Sequence, residues 1–195
     1  MLRVMIVDDS GTDSNRRSLY LRLMLEQVGY TVVAEVFEPH KIYEAVKAHA
    51  PDVIIVDTES PSRDTREYVA VLSDTDPRPI VMLASDSGSD TIREAVQAGV
   101  SAYIVDGLAA ERVKPIIEVA IARFESYQAV KTELAQVKTK LSERKLVERA
   151  KGVLMKARSI DEDEAYSALR KMAMERSLTI GEVSRQFLAV SALLG

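Results

Sequence analysis

Short apolar runs, each closed by polar residues and followed by a stretch of helical periodicity, recur five times over the first 114 residues. Leu2–Val7 is the first, rich in β-branched residues and ending in Asp8-Asp9, and it reads as a buried strand. Ser14–Val28 carries apolar positions at helical spacing through Leu19, Leu23 and Leu25, and Gly29 stops it. Thr31–Val36 is a second strand; Ile42, Val46 and Ala50 mark a short helix before Pro51. Asp52–Asp57 is a strand closed by an acid, Arg66–Leu72 a helix, Ile80–Leu83 a strand, and Asp90–Ala98 a helix stopped by Gly99. Ala102–Val105 is the fifth strand, with a helix from Ala109 onward. Five strand-then-helix units predict an α/β domain with a parallel sheet, right-handed crossovers and helices on both faces.

Beyond this point the period-2 signal disappears. Pro115 suits a first helical turn, and no Gly or Pro follows until Gly152, so one helix is expected over about 112–157. At about 1.5 Å per residue that is a span of roughly 65 Å. Tyr127, Val130, Leu134, Val137 and Leu141 alternate spacings of three and four, the seam of a coiled coil. A lone helix with so narrow a stripe is poorly stabilised, so a parallel homodimer is the favoured reading and a helix folded back on the first domain the alternative. Two further helices follow, opened by Asp161 with Glu164 and by Thr179 with Glu182 as capping boxes. Gly152 lies inside a helical pattern, where it costs about 1 kcal/mol relative to Ala. A closely crossing helix would explain it.

Charge changes this picture more than composition does. An apolar fraction of 47 % and a charged fraction of 29 % are ordinary for a globular protein, and 195 residues accommodate one domain and a smaller unit. Residues 1–114 hold twelve Lys/Arg against nineteen Asp/Glu (−7), whereas residues 115–195 hold fourteen against eleven (+3). Between Lys138 and Arg158 there are eight Lys/Arg, with only Glu143 and Glu148 opposing them. Such clustering points to a polyanionic partner. Cysteine is absent, which excludes disulfides and thiolate metal sites. Neither a basic leader nor a membrane-length apolar run is present, so a cytoplasmic protein without a membrane partner is expected.

Ligands of parallel α/β sheets bind beyond the carboxyl ends of the strands. Asp8 and Asp9 follow the first strand and Asp57 ends the third, placing three carboxylates together. Like charges so close are unfavourable unless a divalent cation, Mg²⁺ for hard oxygen ligands, neutralises them. With the metal present, Asp57 could act as a nucleophile toward a phosphoryl group. The stretch DTESPSRD (57–64) reads as an extended loop over this pocket, with a helix cap or a plain surface loop as the other reading.

Residues 2–124 resemble the receiver domain of bacterial response regulators, on the strength of Asp8-Asp9, Asp57, AGVSAY (98–103) and Tyr103 at the switch-aromatic place. The resemblance implies a flavodoxin-like (βα)5 domain with Asp57 as phospho-acceptor. Two positions depart from it. Receivers carry Ser or Thr at the end of strand four, where this chain has Ala84, with Ser85 one step on. They also carry Lys then Pro after the aromatic, where this chain has Asp106-Gly107. Exchanging that cation for a fourth carboxylate disfavours phosphoryl transfer to Asp57.

The tail resembles the ANTAR domain, a three-helix RNA-binding module, through AKGVLM (150–155), EAYSALRKMAM (164–174) and TIGEVSRQ (179–186), over about 130–194. With DTESPSRD, SAYIVDG (101–107) and ARFES (122–126), the whole chain looks most like the NasT group of antitermination regulators. That resemblance implies a receiver-like domain over 1–124, a coiled-coil linker over 125–142 and an ANTAR domain over 143–195. It implies binding to paired hairpins in leader RNA of nitrate and nitrite assimilation genes, and a nitrate-sensing partner protein that sequesters the regulator. The residues expected to meet RNA phosphates are Arg149, Lys151, Lys156, Arg158, Arg170 and Lys171. Tyr166 and Phe187 are expected in the core rather than as stacking platforms. A phosphorylation-controlled DNA-binding regulator is the principal alternative, although the tail lacks a helix-turn-helix pattern. An enzyme is not expected, because nothing supplies a general acid or a substrate cap beside the three carboxylates. A protein held by a sensor without any nucleic-acid role would leave the basic tail idle.

Overall fold

The computed structural model describes residues 1–9 and 14–194. The chain divides into two compact units, residues 1–128 and 129–195.

Unit one is a five-stranded parallel sheet of order β2-β1-β3-β4-β5, with β1 (Arg3–Asp8), β2 (Thr31–Val36), β3 (Val53–Thr58), β4 (Ile80–Ala84) and β5 (Ala102–Val105). The helices in chain order are α1 (Ser14–Gln27), α2 (Ile42–His49), α3 (Arg63–Thr75), α4 (Ser89–Gln97) and the start of α5 (Ala110–Arg158). Because successive strand side chains point to opposite faces, each strand feeds two cores. Val4, Ile6, Val53, Ile55, Val81 and Leu83 pack against Leu21 and Leu25 of α1 and Val113 and Ile117 of α5. Met5, Val7, Ile54, Val56, Ile80 and Met82 pack against Ile42 and Val46 of α2, Val69 and Leu72 of α3, and Ala95 of α4. Both faces are covered, which is why the central strands read as continuous apolar runs. From β1 the chain moves outward to β2 and then crosses to β3 on the other side. The carboxyl ends of β1 and β3, where Asp8 pairs in register with Asp57, therefore form the switch point.

Two expectations are corrected here. Helix α3 begins at Arg63 instead of Arg66, because Ser62 caps it by accepting a hydrogen bond from the Thr65 N–H at 3.1 Å. Only four residues separate Thr58 of β3 from that helix, so the extended loop is replaced by its alternative, a helix cap. Pro115 sits in the sixth position of α5, leaving the Glu111 carbonyl without its usual partner instead of filling a first turn.

Unit two contains the C-terminal part of α5 with α6 (Glu162–Arg176) and α7 (Ile180–Leu194). Ala150 and Leu154 of α5, Ala165, Leu169 and Ala173 of α6, and Val183 of α7 form its core. Both capping boxes form: the Asp161 carboxylate accepts from the Glu164 N–H at 2.8 Å, and the Thr179 N–H donates to Glu182 Oε2 at 2.8 Å. Gly152 is a further correction. Among the described residues, a Cβ built there would meet nothing within 4 Å, so no helix packs closely against it. Ser184, by contrast, is fully buried, and among the described residues its hydroxyl has no hydrogen-bond partner. Replacing it by Ala removes that unmet desolvation and improves helix propensity. Ser184→Ala is therefore expected to stabilise this unit by about 1 kcal/mol, read from a denaturant midpoint with unchanged slope.

Candidate functional site

The acidic end of the sheet is assembled by three elements. β1 delivers Asp8 and Asp9, β3 delivers Asp57, and the Asp9 N–H donates to the Asp57 carbonyl at 2.9 Å, which fixes their spacing. Asp8 and Asp57 are 2 % and 4 % exposed. Burying two carboxylates side by side demands a positive charge, and α1 supplies one. Arg17 places its guanidinium 2.8 Å from Asp57 Oδ1. Asp9 turns away to accept a hydrogen bond from the Thr65 hydroxyl of α3, and Thr65 is 2.8 Å from Ser62 Oγ. Burial pushes the Asp57 carboxyl above its ordinary range; Arg17 pulls it down, Asp8 pushes it up, and burial prevails.

Arg17, Ser62 and Thr65 are site residues that sequence reasoning missed. One signal was present for Arg17: a helix that follows β1 begins at the carboxyl edge, so its first-turn side chains face the acidic ends.

Among the described residues, no group of three His, Asp or Glu side chains is placed to hold a metal ion. The three carboxylates expected to share Mg²⁺, Asp8, Asp9 and Asp57, lie at this end of the sheet, with Asp57 paired to Arg17 and Asp9 accepting from Thr65. Receiver domains typically bind Mg²⁺ in an acidic site, and Asp8, Asp9 and Asp57 are the hard oxygen donors that would hold it here.

Ala84 closes β4 beside Thr58 and Val105, buried and without a hydroxyl, while Ser85 is exposed and its N–H bonds the Glu59 carbonyl at 3.0 Å. Tyr103 is half-buried and donates its hydroxyl to the Asp86 carbonyl at 2.8 Å. Burial first, then Asp86, raises the Tyr103 phenol, so it stays a donor at neutral pH. Asp106 is exposed at φ +62°, and Gly107 follows at φ +87°.

Unit two carries the basic residues. Arg149, Lys156 and Arg158 of α5 and Arg170 and Lys171 of α6 are exposed. Lys151, also expected to meet RNA phosphates, is not. It is 8 % exposed and its ammonium lies 2.8 Å from Glu148 and 2.6 Å from Glu162, which together raise its pKa. That ion pair ties α5 to the first turn of α6, where acids are favoured. Tyr166 is corrected in the opposite sense: expected in the core, it is 43 % exposed, whereas Phe187 packs against the core. The seam residues Tyr127, Val130, Leu134, Val137 and Leu141 are all 52–64 % exposed.

Residues 4–118 match the response regulator receiver domain family, and residues 135–188 match the ANTAR domain family. The transcriptional regulatory protein PdtaR of Mycobacterium tuberculosis is 32 % identical over 182 residues, covering 93 % of this chain and 87 % of that protein. The nitrate regulatory protein of Klebsiella oxytoca is 38 % identical over 88 residues, covering 45 % of this chain and 22 % of that protein. Among solved structures, the signal receiver domain of a modulated diguanylate cyclase from Desulfovibrio desulfuricans G20 has a TM-score of 0.56 at 25 % identity. That match covers 65 % of this chain and 99 % of the receiver.

Proposed function

The chain belongs to the response regulators that join a receiver domain to a C-terminal ANTAR domain, and we propose that it binds paired hairpins in leader RNA and prevents transcription termination. One observation supports this most. Arg149, Lys156, Arg158, Arg170 and Lys171 are exposed on the three-helix unit of a chain whose other half is acidic. Five such cations neutralise phosphates, and their affinity for a polyanion falls as salt rises. Hairpin loops expose unstacked bases, which exposed aromatic and polar side chains can read.

Similarity to the Klebsiella oxytoca nitrate regulatory protein supports nitrate or nitrite assimilation genes as the targets and a nitrate-responsive sensor as the controlling partner. The same proposal takes 1–124 as the receiver, 125–142 as a coiled-coil linker and 143–195 as the ANTAR domain. No helix among the described residues is long and apolar enough to cross a membrane.

The test is titration of the full chain into a labelled tandem-hairpin RNA and into a DNA duplex of equal length, at two salt concentrations. Preference for RNA with a steep salt slope is expected. Preference for the duplex would favour a DNA-binding regulator instead.

Control by protein sequestration leaves Asp57 unnecessary for the RNA contact itself. Asp57→Ala is therefore expected to retain RNA affinity within a few-fold; a large loss with the fold intact would place Asp57 in the binding switch.

The exposed seam supports a parallel homodimer. With Tyr127, Leu134 and Leu141 as one set of core positions, Glu133 falls opposite Lys138 of a second copy, a favourable pair in the parallel register. Leu134→Asp is expected to leave a monomer, by sedimentation equilibrium, at concentrations where the parent chain is a dimer. A monomeric parent chain would remove this part of the proposal.

A further inference from the structure

Helix α5 contains a glycine with no internal reason to be there. Gly152 lies in mid-helix with ordinary helical backbone, a Cβ there would touch nothing within 4 Å, and the helix core lies on the opposite face, around Ala150 and Leu154. An alanine would fit without displacing an atom and would favour the helix. The residues sharing its face explain the choice. Lys145, Arg149 and Lys156 stand at i−7, i−3 and i+4 from Gly152, which places all four on one stripe. All three cations are exposed, and among the described residues none of them has an ion-pair partner. Glu148, the acid at the stripe's edge, is bound to Lys151 on the side facing α6.

We propose that Gly152 is a close-approach point for the sugar–phosphate backbone of RNA. The missing side chain lets one phosphate lie against the helix barrel, within reach of Lys145, Arg149 and Lys156 together. This rests on the RNA-binding reading above and deepens it by naming where the backbone seats. A second copy of the chain is the other occupant for a bare glycine face, because the coiled-coil seam drifts toward this side. Charge decides against it. A two-fold axis through the stripe would stack Lys145, Arg149 and Lys156 on their own copies, whereas a polyanion neutralises them.

The test uses the full chain and its Gly152→Ala and Gly152→Gln variants, both good helix formers. Affinity for a labelled tandem-hairpin RNA is read by fluorescence anisotropy, alongside thermal melting and sedimentation without RNA. Ala is expected to weaken RNA binding by about tenfold and Gln by more, with the salt slope reduced by about one and the melting temperature raised. A loss of affinity in a more stable protein is not what damage to the fold would produce. Equal RNA affinity in all three proteins overturns the inference while leaving the RNA-binding reading standing. A shift in the monomer–dimer balance caused by Ala or Gln overturns it in favour of a contact between copies. Failure of the unmodified chain to bind the RNA removes the reading on which it rests.

Discussion

Leu169→Ala is expected to abolish RNA binding while leaving the parallel sheet folded. Leu169 is fully buried in a small core that, among the described residues, has six buried apolar members, with Ala150 and Leu154 of α5 and Val183 of α7. Truncating a buried Leu to Ala costs about 2–5 kcal/mol, the range reflecting how far the site collapses. Units of this size rarely hold more than about 3–5 kcal/mol. The small neighbours Ala150, Ala165 and Ala173 already bring the helices close, so little further collapse is available and the upper half of the range applies. Hydrogen exchange separates the outcomes. Amides of α6 and α7 lose protection while those of β1 and β3 retain it, and RNA anisotropy becomes flat. Retained protection in α6 would mean that the core repacks, contrary to this account.

Removing Arg17 is expected to destabilise the receiver in a pH-dependent way. In Arg17→Ala the buried carboxylate of Asp57 loses its guanidinium partner. The guanidinium is 37 % exposed, so solvent screening moderates the loss to about 1–3 kcal/mol at neutral pH. The sign follows from the carboxyl's position. Asp57 already holds its proton to higher pH in the folded state than in the unfolded chain, because burial outweighs Arg17. Loss of Arg17 raises it further. An acid raised on folding contributes its stability fully below the unfolded value near 4 and loses it as pH rises through the folded value. The gap between variant and parent is therefore small at pH 4 and opens toward neutrality. Asp57→Asn removes the charge that Arg17 serves, so adding Arg17→Ala to it is expected to cost much less than in the parent. Equal losses in the two backgrounds, by denaturant unfolding, would show that Arg17 acts through packing instead.

Much of this architecture was legible in the chain because its signals are local. β2 and β5 lie where their β-branched runs lie, and Asp8 and Asp57 meet because apolar strands paired in parallel bring their acidic ends level. What the sequence hid depends on side-chain direction. Lys151 and Arg149 are two residues apart with the same charge, yet one pairs with Glu162 in the helix junction and the other faces solvent. Tyr166 has an aromatic's hydrophobicity but lies one position past the buried Ala165, where the helix has already turned outward. The partnership of Arg17 with Asp57 spans forty residues of sequence, and no periodicity announces it. The start of α3 was obscured by Pro61, which masks the Ser62 cap beside it.

The turn after β5 sets what it would take to build a receiver-type lysine into this chain. Asp106 adopts a left-handed backbone, which Asp tolerates far better than Lys, and Gly107 stands at φ +87°, which a proline ring, fixed near −65°, cannot reach. Writing Lys-Pro into these two positions therefore does not restore the receiver-type cation; the peptide path itself has to be rebuilt.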